Sequence, residues 1–176
     1  MSGRTWVTAD THFGHANILT FKRKDGTPLR PFSSLEEMHE TMITRWNERV
    51  DPQDRVYLLG DIVMNRKHMN ILGRLNGRLV LVKGNHDIFQ LSDYTPYFDD
   101  IRAYVVGKMP KNTDARYIMS HIPVHPESLR ERGWMNIHGH LHYNQVMLNG
   151  QPDPIYKCVS VEHTDYAPIE LMKVLA

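Results

Sequence analysis

Five short blocks of the 176-residue chain hold the side chains most used for metal and proton chemistry. They are Asp10-Thr11-His12, Gly60-Asp61, Gly84-Asn85-His86-Asp87, Ser120-His121 and His138-Gly139-His140-Leu141-His142. Their donors are carboxylates, imidazoles and one side-chain amide, with no thiolate. Mixed nitrogen and oxygen sets of this kind suit Mn, Fe, Zn, Ni or Co better than an all-oxygen calcium site or a thiolate zinc site. On an extended backbone, residues two apart point the same way, so Asp10 with His12, and His140 with His142, can each face one pocket. Seven donors (Asp10, His12, Asp61, Asn85, His121, His140 and His142) are too many for one ion with open positions. They fit two ions that share a bridging carboxylate, which would be Asp61. Two divalent ions about 3.5 to 4 Å apart acidify a bridging water and neutralise the charge of an in-line displacement at phosphorus. The leaving oxygen then needs a proton or a positive partner. His86, next to Asn85 but unable to aim at the same point, is the candidate.

Such a cluster needs a frame that brings five distant blocks together. Short apolar runs at Trp6 to Ala9, Arg55 to Leu59 and Leu79 to Val82 read as strands, each followed at once by polar residues. Further strands are expected at Ile101 to Val106, Arg116 to Met119, Trp134 to Ile137 and Tyr156 to Val161. Leu35, Met38, Met42, Ile43 and Trp46 recur at helical spacing behind Ser33 or Ser34 as cap, and Pro52 follows. A second helix is expected from about Arg66 to Leu75, stopped by Asn76-Gly77, and a short last one near Pro168. The stretches Phe21 to Phe32, Lys108 to Asp114 and Leu148 to Pro154 read as loops. Alternating strands and helices imply a mixed α/β architecture, in which ligands gather beyond the carboxyl ends of the strands. All five blocks fall at such ends.

Composition narrows the function classes. One domain over residues 1–176 is the expectation from length. Twenty-one Lys plus Arg against twenty Asp plus Glu give a net charge of +1, with the signs interspersed. That balance argues against a dedicated polyanion binder. Cys158 is the single cysteine, so a disulfide within the chain and a cysteine-rich zinc module are both ruled out. With no apolar run of membrane-spanning or signal-peptide length, a cytoplasmic location is expected.

The ordered set D-x-H, G-D, G-N-H-D, a lone H and G-H-x-H resembles the calcineurin-like metallophosphoesterase superfamily. The opening Asp10-Thr-His12-Phe-Gly-His15-Ala-Asn17-Ile and the closing Val159-Ser-Val-Glu162 are similar to its small, stand-alone bacterial and phage members. The resemblance implies a four-layer α-β-β-α sandwich, two mixed sheets flanked by helices. It implies one ion held by Asp10, His12, Asp61 and His142, and another held by Asp61, Asn85, His121 and His140. It also implies that His86 contacts the substrate phosphate and assists the leaving group. The implied cofactors are two divalent ions, Mn, Fe, Zn or Ni. One departure matters: the phosphoprotein phosphatase branch carries a further Asp three residues after its G-D block, and here that position is Met64. Protein serine/threonine phosphatase activity is therefore not expected, and without an appended domain neither is a large duplex substrate.

The expected activity is hydrolysis of phosphodiesters, cyclic or short nucleotides, with a phosphomonoesterase at the same site or a catalytically silent scaffold as alternatives. His15, Asn17 and Arg66 are candidate substrate contacts, for His15 and Asn17 against a role in stiffening their loop. Asp87 is read as capping the segment after it through backbone N–H groups, and His138 as a packing residue behind the site. The basic run Lys22-Arg23-Lys24 reads first as a solvated loop, with attraction of anionic substrates as the alternative. His39, His68, His125 and His163 read as solvent or packing residues.

Overall fold

The computed structural model describes residues 3–110 and 114–176. Part of the loop expected at 108–114 lies outside the described residues. A first sheet is built from parallel strands β1 (Thr5–Thr8), β2 (Arg55–Leu58), β3 (Arg78–Val82) and β4 (Asp100–Arg102). A second contains β5 (Val105–Lys108), β6 (Arg116–Ser120) and β7 (Met135–His138). There β6 and β7 are parallel and β5 is antiparallel. A small hairpin of β8 (Met147–Leu148) and β9 (Gln151–Pro152) precedes β10 (Tyr156–Cys158), which adds parallel to β7. The chain returns through β11 (Ile169–Glu170), antiparallel beside β1. The sheet orders are β11-β1-β2-β3-β4 and β10-β7-β6-β5.

Alternation along the strands explains the two cores. Trp6, Val56, Leu58, Leu79 and Leu81 point from the first sheet toward helix α1 (Leu35–Arg49) and pack with Met38, Met42, Ile43 and Trp46. Val7, Ala9, Leu59 and Val82 point the other way and meet Met119 and Ile137 of the second sheet and Val159 just past β10. Sheets covered on both faces read as near-continuous apolar runs, which is why these strands were recognisable. Two further helices are single turns: α2 (Leu91–Tyr94), which buries Tyr94 in the first core, and α3 (Glu127–Arg130), which buries Leu129. The last turn, α4 (Leu171–Val174), buries Leu171 and Val174 between the sheets. The architecture is the expected sandwich of two mixed sheets with helices.

Both candidate cap serines are used. Ser34 Oγ accepts from the Glu37 N–H at 3.0 Å, while the Glu37 carboxylate accepts from the Ser33 N–H at 2.7 Å. These contacts satisfy donors that helix starts leave open. The second expected helix forms over Arg66–Arg74 as a 3₁₀ run capped by Asn65; it contains Asn70 and Gly73, weak α-helix formers. The expected strand Ile101 to Val106 is two strands in different sheets. The chain turns at Ala103-Tyr104, so one run of strand-forming residues hides a corner. The strand expected to reach Val161 ends at Cys158, and Val161–His163 form a helical turn. Within the stretch Leu148 to Pro154, expected as a loop, the β8-β9 hairpin forms. The helix expected near Pro168 is preceded by β11 and starts at Leu171.

Candidate metal centre

The loops after β1, β2, β3, β6 and β7 converge and lock to one another through backbone bonds. Asp10 N–H donates to Gly60 O (3.0 Å), His12 N–H to Asp61 O (3.1 Å) and Gly139 N–H to His121 O (3.0 Å). Such close approach excludes side chains: a Cβ on Gly139 would lie 2.5 Å from Asp10 Oδ2, and one on Gly84 would collide with Asp61 Oδ1. Asp10, His12, Asp61, His140 and His142 all adopt left-handed backbone, with φ of 58°, 52°, 55°, 67° and 51°. Each such residue costs of order 1–3 kcal/mol and persists only where its surroundings dictate it. Five at one spot mark a functional site.

Two donor groups result. Asp10, His12 and His142 place one donor atom each within 4.8 Å of one another, and so do Asp61, His121 and His140. In the second group His121 Nε2 lies 2.9 Å from Asn85 Oδ1, 3.2 Å from His140 Nδ1 and 3.3 Å from Asp61 Oδ2. Asp61 Oδ2 is also 3.8 Å from His12 Nε2, so one carboxylate oxygen lies between the groups. Its other oxygen is fixed by the His86 N–H at 2.8 Å. His140 N–H in turn donates to Asp10 Oδ2 at 2.9 Å, tying the groups together a second time.

These donors fit a pair of cations. His12 is 3% exposed, and its Nε2 has no hydrogen-bond partner although it lies 3.9 Å from Asp10 Oδ1 and 3.8 Å from Asp61 Oδ2. Leaving such an atom buried and unsatisfied costs about 1–3 kcal/mol, and a cation between nitrogen and carboxylates would remove that cost. Burial lowers the His12 pKa to about 4, against the raising effect of Asp10, which keeps the ring in the neutral form that coordination requires. Burial would raise Asp61, but hydrogen bonding and charge from His121 outweigh it and hold the carboxyl below its usual range.

Behind the first group runs a chain of buried charge that sequence reasoning did not assign to the site. His142 Nδ1 meets Glu162 Oε1 at 3.0 Å, and the same oxygen accepts from Arg30 Nε at 2.9 Å. Arg30 also donates to the Thr11 and Asp10 carbonyls at 2.8 and 2.5 Å. Burial opposes ionisation of Glu162, yet the Arg30 charge and the His142 bond lower its pKa to about 2. Ser160 Oγ donates to Asp10 Oδ2 at 2.7 Å. Carboxylates placed behind ligating histidines fix ring orientation and raise basicity. Glu162 closes a recognisable block in the sequence, whereas Arg30, in a stretch rich in Gly and Pro, gave no signal.

The remaining candidates separate. His86 is exposed, its ring 6.0 Å from that of His12. His15 stacks on His12 at 5.5 Å and reaches the edge of the site. Asn17 sits exposed on the turn Ala16–Thr20, with its carbonyl accepting from Thr20. Arg66 is drawn to Asp93 at 2.6 Å and lies over the Phe89 ring. Asp87 does accept backbone N–H groups, but those of Gly84 and of the neighbouring loop at Asp61 and Ile62, at 2.8, 2.8 and 3.0 Å, instead of the segment after it. His138 is fully buried against Tyr156, with Nδ1 on Gly139 O. His39, outside the blocks, accepts the Gly14 N–H at 2.9 Å and so braces the loop that carries His12 and His15. Lys22, Arg23 and Lys24 line a cleft of about 620 Å³ that begins at His140 and His142.

A two-sheet sandwich with Asp, Asn and His donors at five strand ends defines a metal-dependent hydrolase. The chain belongs to the calcineurin-like phosphoesterase family, which it matches over residues 3–165. It is 33% identical to MJ1445 of Methanocaldococcus jannaschii, over 96% of this chain and 87% of that protein. It is also 25% identical to the Gene 66 protein of Mycobacterium phage L5, over 81% and 79% of the two chains. The crystal structure of AQ665 from Aquifex aeolicus, titled a protein of unknown function, is similar with a TM-score of 0.74 and 26% identity, over 98% of this chain and 97% of the other. Family membership carries with it metal-dependent hydrolysis of phosphate esters at a dinuclear divalent centre. No helix among the described residues is long and apolar enough to cross a membrane.

Proposed function

We propose that this chain, acting as one domain, hydrolyses phosphodiesters, cyclic or short nucleotides among them. Asp10, His12, Asp61 and His142 would hold one divalent ion, and Asp61, Asn85, His121 and His140 the other, with Asp61 shared. The observation that carries this reading is the orphaned His12 Nε2 lying between the Asp10 and Asp61 carboxylates. When bound, two ions of the Mn, Fe, Zn or Ni type would acidify a water and neutralise charge at phosphorus.

The chain's own groups do the rest. Asp61, anchored through the His86 N–H, holds both halves in register while leaving the His86 ring free at the surface. That ring would hand a proton to the leaving oxygen or offset its charge. His15, stacked on His12, would contact a phosphate oxygen. The open cleft at His140 and His142 leaves room for a second ester group, which favours diesters over monoesters. Arg66, paired with Asp93, is the weakest of the candidate contacts, and the exposed Asn17 would act only at the rim. A silent scaffold would have no use for a complete donor set with a free histidine beside it. A reducing, cytoplasmic setting accords with the lone Cys158, whose thiol burial pushes up to about 11.

The test is metal content on purified protein, followed by a panel of diesters, monoesters and cyclic nucleotides with Mn, Ni, Zn and Mg. About two ions per chain and turnover of diesters ahead of monoesters are expected. His86→Ala should lose roughly 10² to 10⁴ in turnover with metal retained. Full activity in that variant, or a protein that neither retains nor requires metal, would overturn the reading.

A further inference from the structure

The run Lys22-Arg23-Lys24 leads into a built turn, with Lys22 bridged to Pro28 across it. Arg23 N–H donates to Thr27 O at 2.8 Å, Gly26 N–H to Arg23 O at 3.0 Å, and Asp25 Oδ1 accepts from both the N–H and the hydroxyl of Thr27. The turn is also attached to the metal side of the molecule. The Arg23 guanidinium lies 4.0 Å above the ring of Tyr143, the residue after His142, and the His163 ring lies parallel to that ring with centroids 6.1 Å apart. Arg23 Nε is buried without a hydrogen-bond partner. At the root of the turn Phe21 is 47% exposed and meets His15 in a T-shaped contact, ring centroids 5.7 Å apart. The lining of the 620 Å³ cleft therefore includes an exposed aromatic ring, the cations Lys22, Arg23 and Lys24 and one acid, Asp25, and it begins at His140 and His142. A cavity of that size accommodates a small organic ligand.

We propose that this cleft recognises the group esterified to the reacting phosphate, and that this group is a nucleotide carrying a further phosphate. The base would stack on Phe21, and the extra phosphate would be neutralised by Lys22, Arg23 and Lys24. An exposed ring beside cations is the arrangement that binds single-stranded nucleotides without reading sequence, because every base has a π-face and every linkage a charge. Against the near-zero net charge of the whole chain, three cations with Asp25 as the one acid among the described lining residues leave this rim locally positive, which favours anions there. The inference rests on the phosphodiesterase reading for the identity of the reacting centre, but the cleft's affinity can be measured without it.

The experiment titrates fluorescent etheno-adenosine 3′,5′-bisphosphate into wild type, Phe21→Ala and the double variant Lys22→Ala, Lys24→Ala. In parallel, turnover of methyl p-nitrophenyl phosphate, which carries no base, is measured with metal supplied. Each variant should weaken nucleotide binding about fivefold or more, with small-diester turnover unchanged. Binding to wild type should also weaken as salt is raised. Equal binding by all three proteins, or displacement of the nucleotide as readily by ribose 5-phosphate as by AMP, would overturn the proposal. Small-diester hydrolysis without Phe21-dependent binding removes the cleft assignment and leaves the enzyme. Phe21-dependent binding without hydrolysis of any ester does the reverse.

Discussion

Asp10, His12 and His142 rest on buried charge, whereas Asp61, His121 and His140 lean on backbone and on one another. Behind the first group stand Arg30 and Ser160, both buried, and Glu162, whose side chain is buried, and His39 supports the adjoining loop. Behind the second, His121 Nδ1 meets the Leu59 carbonyl at 2.8 Å, and Asp87 secures the loops through backbone N–H groups. Asn85, its amide donor, is exposed. The first half is held in one arrangement by ionic contacts that do not depend on a bound ion. The second brings its imidazoles and amide within hydrogen-bond distance of one another, with no buried ion pair behind them among the described residues. The two positions should accordingly differ in affinity, with the buttressed one tighter.

The largest effect is expected from Asp61→Asn, which removes the one group lying between the halves. Both ions should weaken together in calorimetric metal titrations. Loss of a single ion would show that the halves are independent. Glu162→Gln is the sharper probe, since it keeps shape and hydrogen-bonding capacity while deleting the charge behind His142. Affinity at one of the two positions should fall about 10- to 100-fold, the other being little changed. Equal losses at both would dissolve the distinction drawn above.

The smallest effect concerns the brace beneath the His12 loop. Burial, together with the charges of His68 and Arg74 and against that of Glu40, lowers the His39 pKa to about 4, so its Nε2 accepts the Gly14 N–H as a neutral ring. The unfolded chain, with an ordinary value of about 6.5, takes up a proton that the folded chain refuses between pH 6.5 and 4. This contribution to stability is complete above pH 6.5 and declines as pH falls through that window. His39→Gln keeps an acceptor for Gly14, and urea midpoints at pH 7 and pH 5 should differ less in this variant than in wild type.

The candidate donors stand out in the sequence because each sits where an apolar strand stops, and a strand's end is a local event. Their supports do not. Arg30 and Glu162 are 132 residues apart, and neither lies in a periodic segment that would announce a buried pair. The corner at Ala103-Tyr104 was invisible for a related reason: both flanking strands favour extended backbone, and only the space between the sheets decides where the chain must turn. The basic run at residues 22–24 reads as solvated because short runs of like charge usually are, and Lys22 and Lys24 are exposed; that it also lines a cleft is a property of the distant Tyr143.

The left-handed backbone at Asp10 and His12 limits how far this chemistry can be transplanted. At about 1–2 kcal/mol for each residue, a free peptide bearing Asp-Thr-His would visit the paired conformation on the order of one time in a hundred. A designer who copies the motif into a pliant loop would inherit the ligands without their aim. The portable unit is the abutting strand ends that force the backbone into place.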